Sequence, residues 1–146
     1  MKLRILLSIV AFAGFLGQAT AAQIIPSDRF LVRNPLIRVC TINGGLFETY
    51  PFGADQIALC RFGSLVVDSQ TLLSNLNGIQ TEAAGVIMSG TQSQTCEPVG
   101  ATTHRLVGLA DFVCVFGDDS KLGLSVLQTS PAEPERIRLK DVLLAR

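Results

Sequence analysis

Five residues of this chain carry the side chains best suited to chemistry: Cys40, Cys60, Cys96, Cys114 and the single histidine, His104. Thiols separated by 20 and 18 positions do not make the short Cys-x-x-Cys spacing of a zinc site, and one histidine adds little to it. An acid–base pair would need His104 beside Asp111, Asp118 or Asp119. A lone histidine next to Arg105 on a strand reads more simply as a surface residue. Asp118 and Asp119 read as a turn, because the other acidic ligands of a calcium loop are missing. The chain has no Gly-x-Ser-x-Gly elbow, no His-Glu-x-x-His helix and no phosphate loop. The expectation is a non-enzymatic protein with no catalytic, cofactor-binding or metal-binding residues. Its cysteines are then spent in disulfides, two bridges from an even set.

Disulfides require an oxidising compartment, and the N-terminus reads as the means of reaching one. Lys2 and Arg4 precede an apolar run from Ile5 to Gly17, and the small residues Ala19, Thr20, Ala21 and Ala22 follow. That order is a signal peptide over residues 1–21, with an apolar core shorter than the roughly 20 residues of a spanning helix. An uncleaved anchor is the alternative, and no cysteine follows that would take a lipid. Without Lys2 and Arg4, ten basic residues face twelve acidic ones, a balance of −2. Such a chain has no field to attract nucleic acid or acidic lipid. The expected location is periplasmic or secreted, with no nucleic-acid partner and no stable membrane insertion after cleavage.

The cysteine neighbourhoods nearly repeat. Cys40-x-x-x-Gly44-Gly45 parallels Cys96-x-x-x-Gly100-Ala101, and Cys60-x-Phe62-Gly63 parallels Cys114-x-Phe116-Gly117. Two copies of one unit of roughly 50 residues would explain this, with chance similarity as the plain alternative. The units would be residues 22–80 and 81–146, the second with a C-terminal tail. The natural pairing is then within each copy, Cys40 with Cys60 and Cys96 with Cys114. Each bridge would close a loop of about 20 residues, worth roughly 3 kcal/mol by chain entropy. A unit this small has little core of its own, which gives the staples a purpose.

The elements that would hold the cysteines follow from local signals. Asn34 and Pro35 open a helix whose buried side is Leu36, Ile37, Val39 and Cys40, ended by Asn43-Gly44-Gly45. Residues 46–50 and 56–62 form a hairpin turning at 51–55, and the apolar residues 65–67 continue it. Asp68 caps a helix through Leu72, Leu73 and Leu76, stopped by Asn77-Gly78. Residues 81–88 suggest another helix, 89–95 a loop. A second hairpin takes 104–107 and 112–116, with 122–128 a strand or short helix. Residues 136–140 alternate like an exposed strand, while 141–146 could equally be a frayed helix. The fold class is α+β: two related small units, each a short helix plus an antiparallel hairpin, stapled by a disulfide.

The string Asn34-Pro35-x-x-x-x-Cys40-x-x-x-Gly44-Gly45, with Cys60-x-Phe62 after it, resembles a small cysteine-containing bacterial domain of unknown function whose members often carry the label haemolysin. The resemblance covers about residues 33–64, with a fainter echo at 96–120. It implies a compact α+β unit in which an Asn-Pro helix precedes the first cysteine and a Cys-x-Phe strand follows. Residues 64–76 lack the further cysteines and the aromatic residue common in that family, and the second copy lacks the Asn-Pro lead. The label implies little about activity, since no stretch reads as an amphipathic pore-forming segment.

The function expected is therefore an exported, disulfide-bonded, non-enzymatic binding or structural module, with a protein partner that the sequence does not identify. One alternative is a protease inhibitor presenting residues 50–55 or 102–108 as a braced loop. The other is a membrane-active haemolysin-like factor.

Overall fold

The computed structural model describes residues 34–145. The leader read at 1–21 lies outside them. Chain order is α1 (Pro35–Ile42), β1 (Leu46–Phe52), β2 (Asp55–Phe62), β3 (Leu65–Asp68), α2 (Ser69–Leu76), α3 (Glu82–Ser89), a 3-10 turn (Glu97–Val99), β4 (Thr102–Arg105), β5 (Phe112–Val115), β6 (Lys121–Gly123), α4 (Leu124–Gln128) and α5 (Pro134–Leu144). Helices beside an antiparallel sheet make this an α+β fold, and the bridges are Cys40–Cys60 and Cys96–Cys114.

Local chemistry starts and stops these elements. The Asn34 side chain accepts from the Leu36 amide at 3.0 Å, and Pro35 occupies the first turn of α1. Beyond α1, Gly44 has φ +74°, its amide donates to the Thr41 carbonyl, and the Gly45 amide donates to the Cys40 carbonyl. The same two bonds recur at the second bridge, from Gly100 (φ +81°) to Glu97 and from Ala101 to Cys96. Both turns need the left-handed conformation that glycine reaches without strain. The first cysteine of each bridge therefore enters its hairpin through the same backbone path.

The six strands form one sheet in the order β1-β2-β3-β6-β5-β4, all neighbours antiparallel. Each half is a three-stranded meander, and the halves meet where β3 pairs with β6. On one face lie Cys40, Cys60, Phe62, Val67, Cys114, Phe116 and Leu122, covered by side chains from α2, α3, α4 and α5. The other face carries Ile57, Leu59 and Val113, with Leu106 and Leu109 from the β4–β5 connection closing over them. A flat sheet would hold its edge strands about 24 Å apart, given the ~4.8 Å strand spacing. Yet Phe52 of edge strand β1 and His104 of edge strand β4 meet edge-to-face, ring centroids 5.4 Å apart. The sheet is rolled around its second apolar cluster, following the strand twist.

Three expectations need correction. Residues 136–140 are helical, inside α5, and its buried side is Arg136, Leu139 and Leu143 at helical spacing. Short alternation misled there, because the three-and-four rhythm shows only over the full eleven residues, behind Pro134. In α1 just Val39 and Cys40 are buried, since Leu36 and Ile37 stand at the margin of the core. Of residues 102–108, Thr102–Arg105 are paired strand and only 106–108 belong to the β4–β5 connection.

α5 ties the halves together. Ser64, in the β2–β3 turn, donates to the Glu135 carboxylate from its amide and its hydroxyl, and Arg138 donates to the Gly44 carbonyl at 3.2 Å. Asn75 of α2 donates to the Leu143 carbonyl. The hydrogen bonds of Glu135 fall at the first turn of α5, where negative charge also suits the helix dipole.

Candidate functional site

The residues singled out for chemistry are placed apart or occupied. His104 shares a hydrogen bond with the Thr102 hydroxyl at 3.0 Å and lies against Phe52. Asp111 accepts from the amide and hydroxyl of Ser125, fixing the start of α4. Asp118 accepts from the Glu82 amide at 2.8 Å, at the start of α3, and from the amide and hydroxyl of Ser120. Burial pushes the Asp118 carboxyl up, but the bonds from Ser120 and Glu82 together outweigh it and hold the carboxyl below its usual range. Asp119 pairs with Lys121 at 3.0 Å. Among the described residues no aspartate hydrogen-bonds His104, and no group of three His, Cys, Asp or Glu side chains is arranged to hold a metal ion. All four cysteines are fully buried in their bridges.

A third polar group holds the first hairpin. Arg61 of β2 forks onto Glu48 of β1, with Nη2–Oε2 at 2.8 Å, and the Tyr50 hydroxyl donates to the same carboxylate at 2.7 Å. The Arg61 hydrogen bond holds the Glu48 carboxyl below its ordinary value against the opposing effect of burial. Burial and the Glu48 charge raise the Tyr50 hydroxyl. These side chains are half-buried, so the network fixes β1 on β2 with modest net energy.

What the sequence reading passed over is a cleft of about 590 Å³. Its walls are the end of the β1–β2 hairpin with Phe52 and Asp55, the first turn of α2 with Asp68 and Thr71, and the loop before β6 with Asp119, together with Lys121 at the start of β6. Asp68 is the last residue of β3 and the N-cap of α2: its Oδ1 accepts from the Gln70 amide at 3.1 Å. Oδ2 makes no hydrogen bond among the described residues. Asp68 is 6% exposed, and burial pushes its carboxyl up to about 6, against smaller downward pulls from the Gln70 amide and Lys121. Among the described residues, the buried hydroxyls of Ser69 and Thr71 in the same turn have no hydrogen-bond partner. An unsatisfied buried polar atom costs about 1–3 kcal/mol, so two in one turn call for a reason. Lys121 is held by the carboxylate and carbonyl of Asp119, and its Nζ stands 5.9 Å from the centre of the Phe52 ring.

The capping role of Asp68 was legible, since an acidic residue before an apolar-periodic stretch marks a helix start. Its place on a cleft was not, because the other walls come from residues about 15 positions before it and 50 after it in the chain. Compared with protein-family models, with curated proteins and with solved structures, the chain matches none. The site therefore stands on its own geometry. Two buried bridges fit an oxidising environment, and no helix of the described residues is long and apolar enough to cross a membrane.

Proposed function

We propose that this protein is an exported, disulfide-braced binding module that works without catalysis and receives a small ligand in the cleft beneath the β1–β2 hairpin. The observation that carries this reading is the carboxylate of Asp68, buried in the cleft wall with one oxygen that takes no hydrogen bond from the described residues. A cleft of this size suits a small molecule, and a few polar groups in a mostly fixed wall give such sites their orientation. The dispersal of His104, Asp111 and Asp118 into separate structural bonds favours binding over catalysis. The braced scaffold supports it too, since a rigid site loses little entropy on binding. Export to the periplasm or medium follows from the leader and agrees with the bridges.

The hairpin tip is a weaker basis for function. Tyr50 and Phe52 turn onto the rolled face rather than outward, so a protease would not find their side chains presented. The test is to express the full chain with its leader, purify it oxidised, and follow amide resonances against amines, carboxylates, sugars and nucleosides. Saturable shifts gathered at Phe52, Gln70 and Lys121 are expected. A panel that moves none of them would remove the reading.

We also infer that the two meanders descend from one duplicated unit related to the haemolysin-labelled domain. Supporting this are the matching turns after Cys40 and Cys96 and the match between the resembled Asn-Pro, Gly-Gly and Cys-x-Phe segments and α1, its turn and β2.

A further inference from the structure

We infer that the ligand of this cleft carries an organic cation, a primary ammonium or guanidinium group, seated against Asp68; this rests on the reading of the cleft as a binding site. The charged side chains lining the cleft are Asp55 of β2, Asp68 at the start of α2, Asp118 and Asp119 of the loop, and Lys121 of β6. Lys121 is already matched, by the Asp119 carboxylate and carbonyl. Asp118 is matched by the Glu82 amide and by Ser120. Asp68 is the buried one with an oxygen to spare, since Oδ1 is spent on the Gln70 amide and Oδ2 bonds nothing among the described residues.

A cationic donor satisfies that oxygen and its charge at once, which a neutral donor would not. An anion would meet Asp68 already occupying the positive end of α2, with Asp55 and the loop aspartates around it. Two further features suit a cation. Thr71, 1% exposed and without a partner among the described residues, stands one turn along the same wall and offers an acceptor on rotation of its side chain. Phe52 presents a ring on the opposite wall, and Lys121 already places an ammonium 5.9 Å from its centre. The volume admits a chain of a few carbons behind the cationic head.

The experiment is a titration of the full oxidised chain, followed by amide resonances, with agmatine, with glutarate and with 1,5-pentanediol. Agmatine is expected to shift Gln70, Thr71 and Lys121 saturably, while the other two leave them in place. D68N keeps a side chain that caps a helix as well as aspartate does; it is expected to weaken agmatine at least tenfold with the remaining spectrum unchanged. T71V is expected to weaken it less. Glutarate or pentanediol shifting the cleft while agmatine does not would overturn the cation assignment and leave the cleft a binding site. No probe shifting the cleft would overturn the cation assignment, while the reading of the cleft as a binding site falls only if the sugars and nucleosides of the wider panel are silent too. Agmatine shifts scattered over surface carboxylates, or an undiminished affinity in D68N, would likewise overturn the inference.

Discussion

Val67 of β3 lies directly opposite Leu122 of β6, and each is also opposite the second cysteine of its own bridge, Cys60 and Cys114. Exchange of the two halves therefore carries this pair onto itself. All four side chains point to the helix-covered face and are fully buried. The β3–β6 ladder is short, so the halves are joined chiefly by this shared core and by α5 reaching across to Ser64, Gly44 and Asn75.

A shared core makes the two halves unfold together. Urea unfolding of the oxidised protein is expected to be a single transition. Tyr50, the lone tyrosine in a chain without tryptophan, reports the first half, and far-ultraviolet dichroism reports the whole. Coincident midpoints are expected. Leu122→Ala should lower stability by about 2–5 kcal/mol without separating the curves. Two resolved transitions would show that the halves are independent.

Each bridge joins a helical turn to the central part of a hairpin, with Cα–Cα distances of 5.5 and 5.3 Å. Replacing Cys40 and Cys60 together by alanine, or Cys96 and Cys114 together, should cost about 3 kcal/mol in either case, because the closed loops are of similar length. Gly45→Ala is a sharper probe. A Cβ there would stand 2.3 Å from the Cys60 sulfur and 3.0 Å from the Cys40 sulfur, so it should destabilise the oxidised protein. Chemical denaturation of the three variants distinguishes these effects.

Arg136 is a cation at 1% exposure with no carboxylate paired to it among the described residues. Its guanidinium donates to the carbonyls of Val126, Thr129 and Thr91, gathering the end of α4 and the segment after α3 onto α5. Arg136→Ala leaves these carbonyls without their donor and should cost on the order of 3 kcal/mol or more. Arg136→Lys should fall between, since a single ammonium does not reproduce the planar fork. Denaturation midpoints at constant pH measure both, and a lysine variant as stable as the parent would refute the role given to the fork.

Asp68 sets a pH dependence. Its carboxyl is raised to about 6 from the ordinary value of 3.8, burial being the main cause. The folded state thus holds this proton more tightly than the unfolded chain does. Its contribution to stability is fully present below about pH 4 and is lost as pH rises through 6. At roughly 1.4 kcal/mol per unit, the loss between pH 4 and pH 8 is on the order of 3 kcal/mol. Asp68→Asn should remove that slope, leaving the variant as stable as the parent near pH 4 and more stable at pH 8. Thermal melts across this range check it, and an unchanged slope would rule out Asp68 as its source.

Much of the local structure was legible in the sequence because it depends on neighbours in the chain. Asn34 and Pro35 start α1, Gly44 ends it, Asp68 starts α2, and the matching cysteine surroundings point to the two bridges. Where a pattern was short, the reading failed, as in the alternation of residues 136–140 that belongs to α5. What sequence alone determined was the covalent frame, the cap and turn residues, and the class of fold. Tertiary structure decided the rest: the pairing of Val67 with Leu122, the contact of Phe52 with His104, the burial of Arg136, and the cleft around Asp68. The reason is physical. Caps and turns are set by bonds spanning a few residues, whereas the cleft exists because a twisted sheet rolls up and brings three distant segments to one end of it.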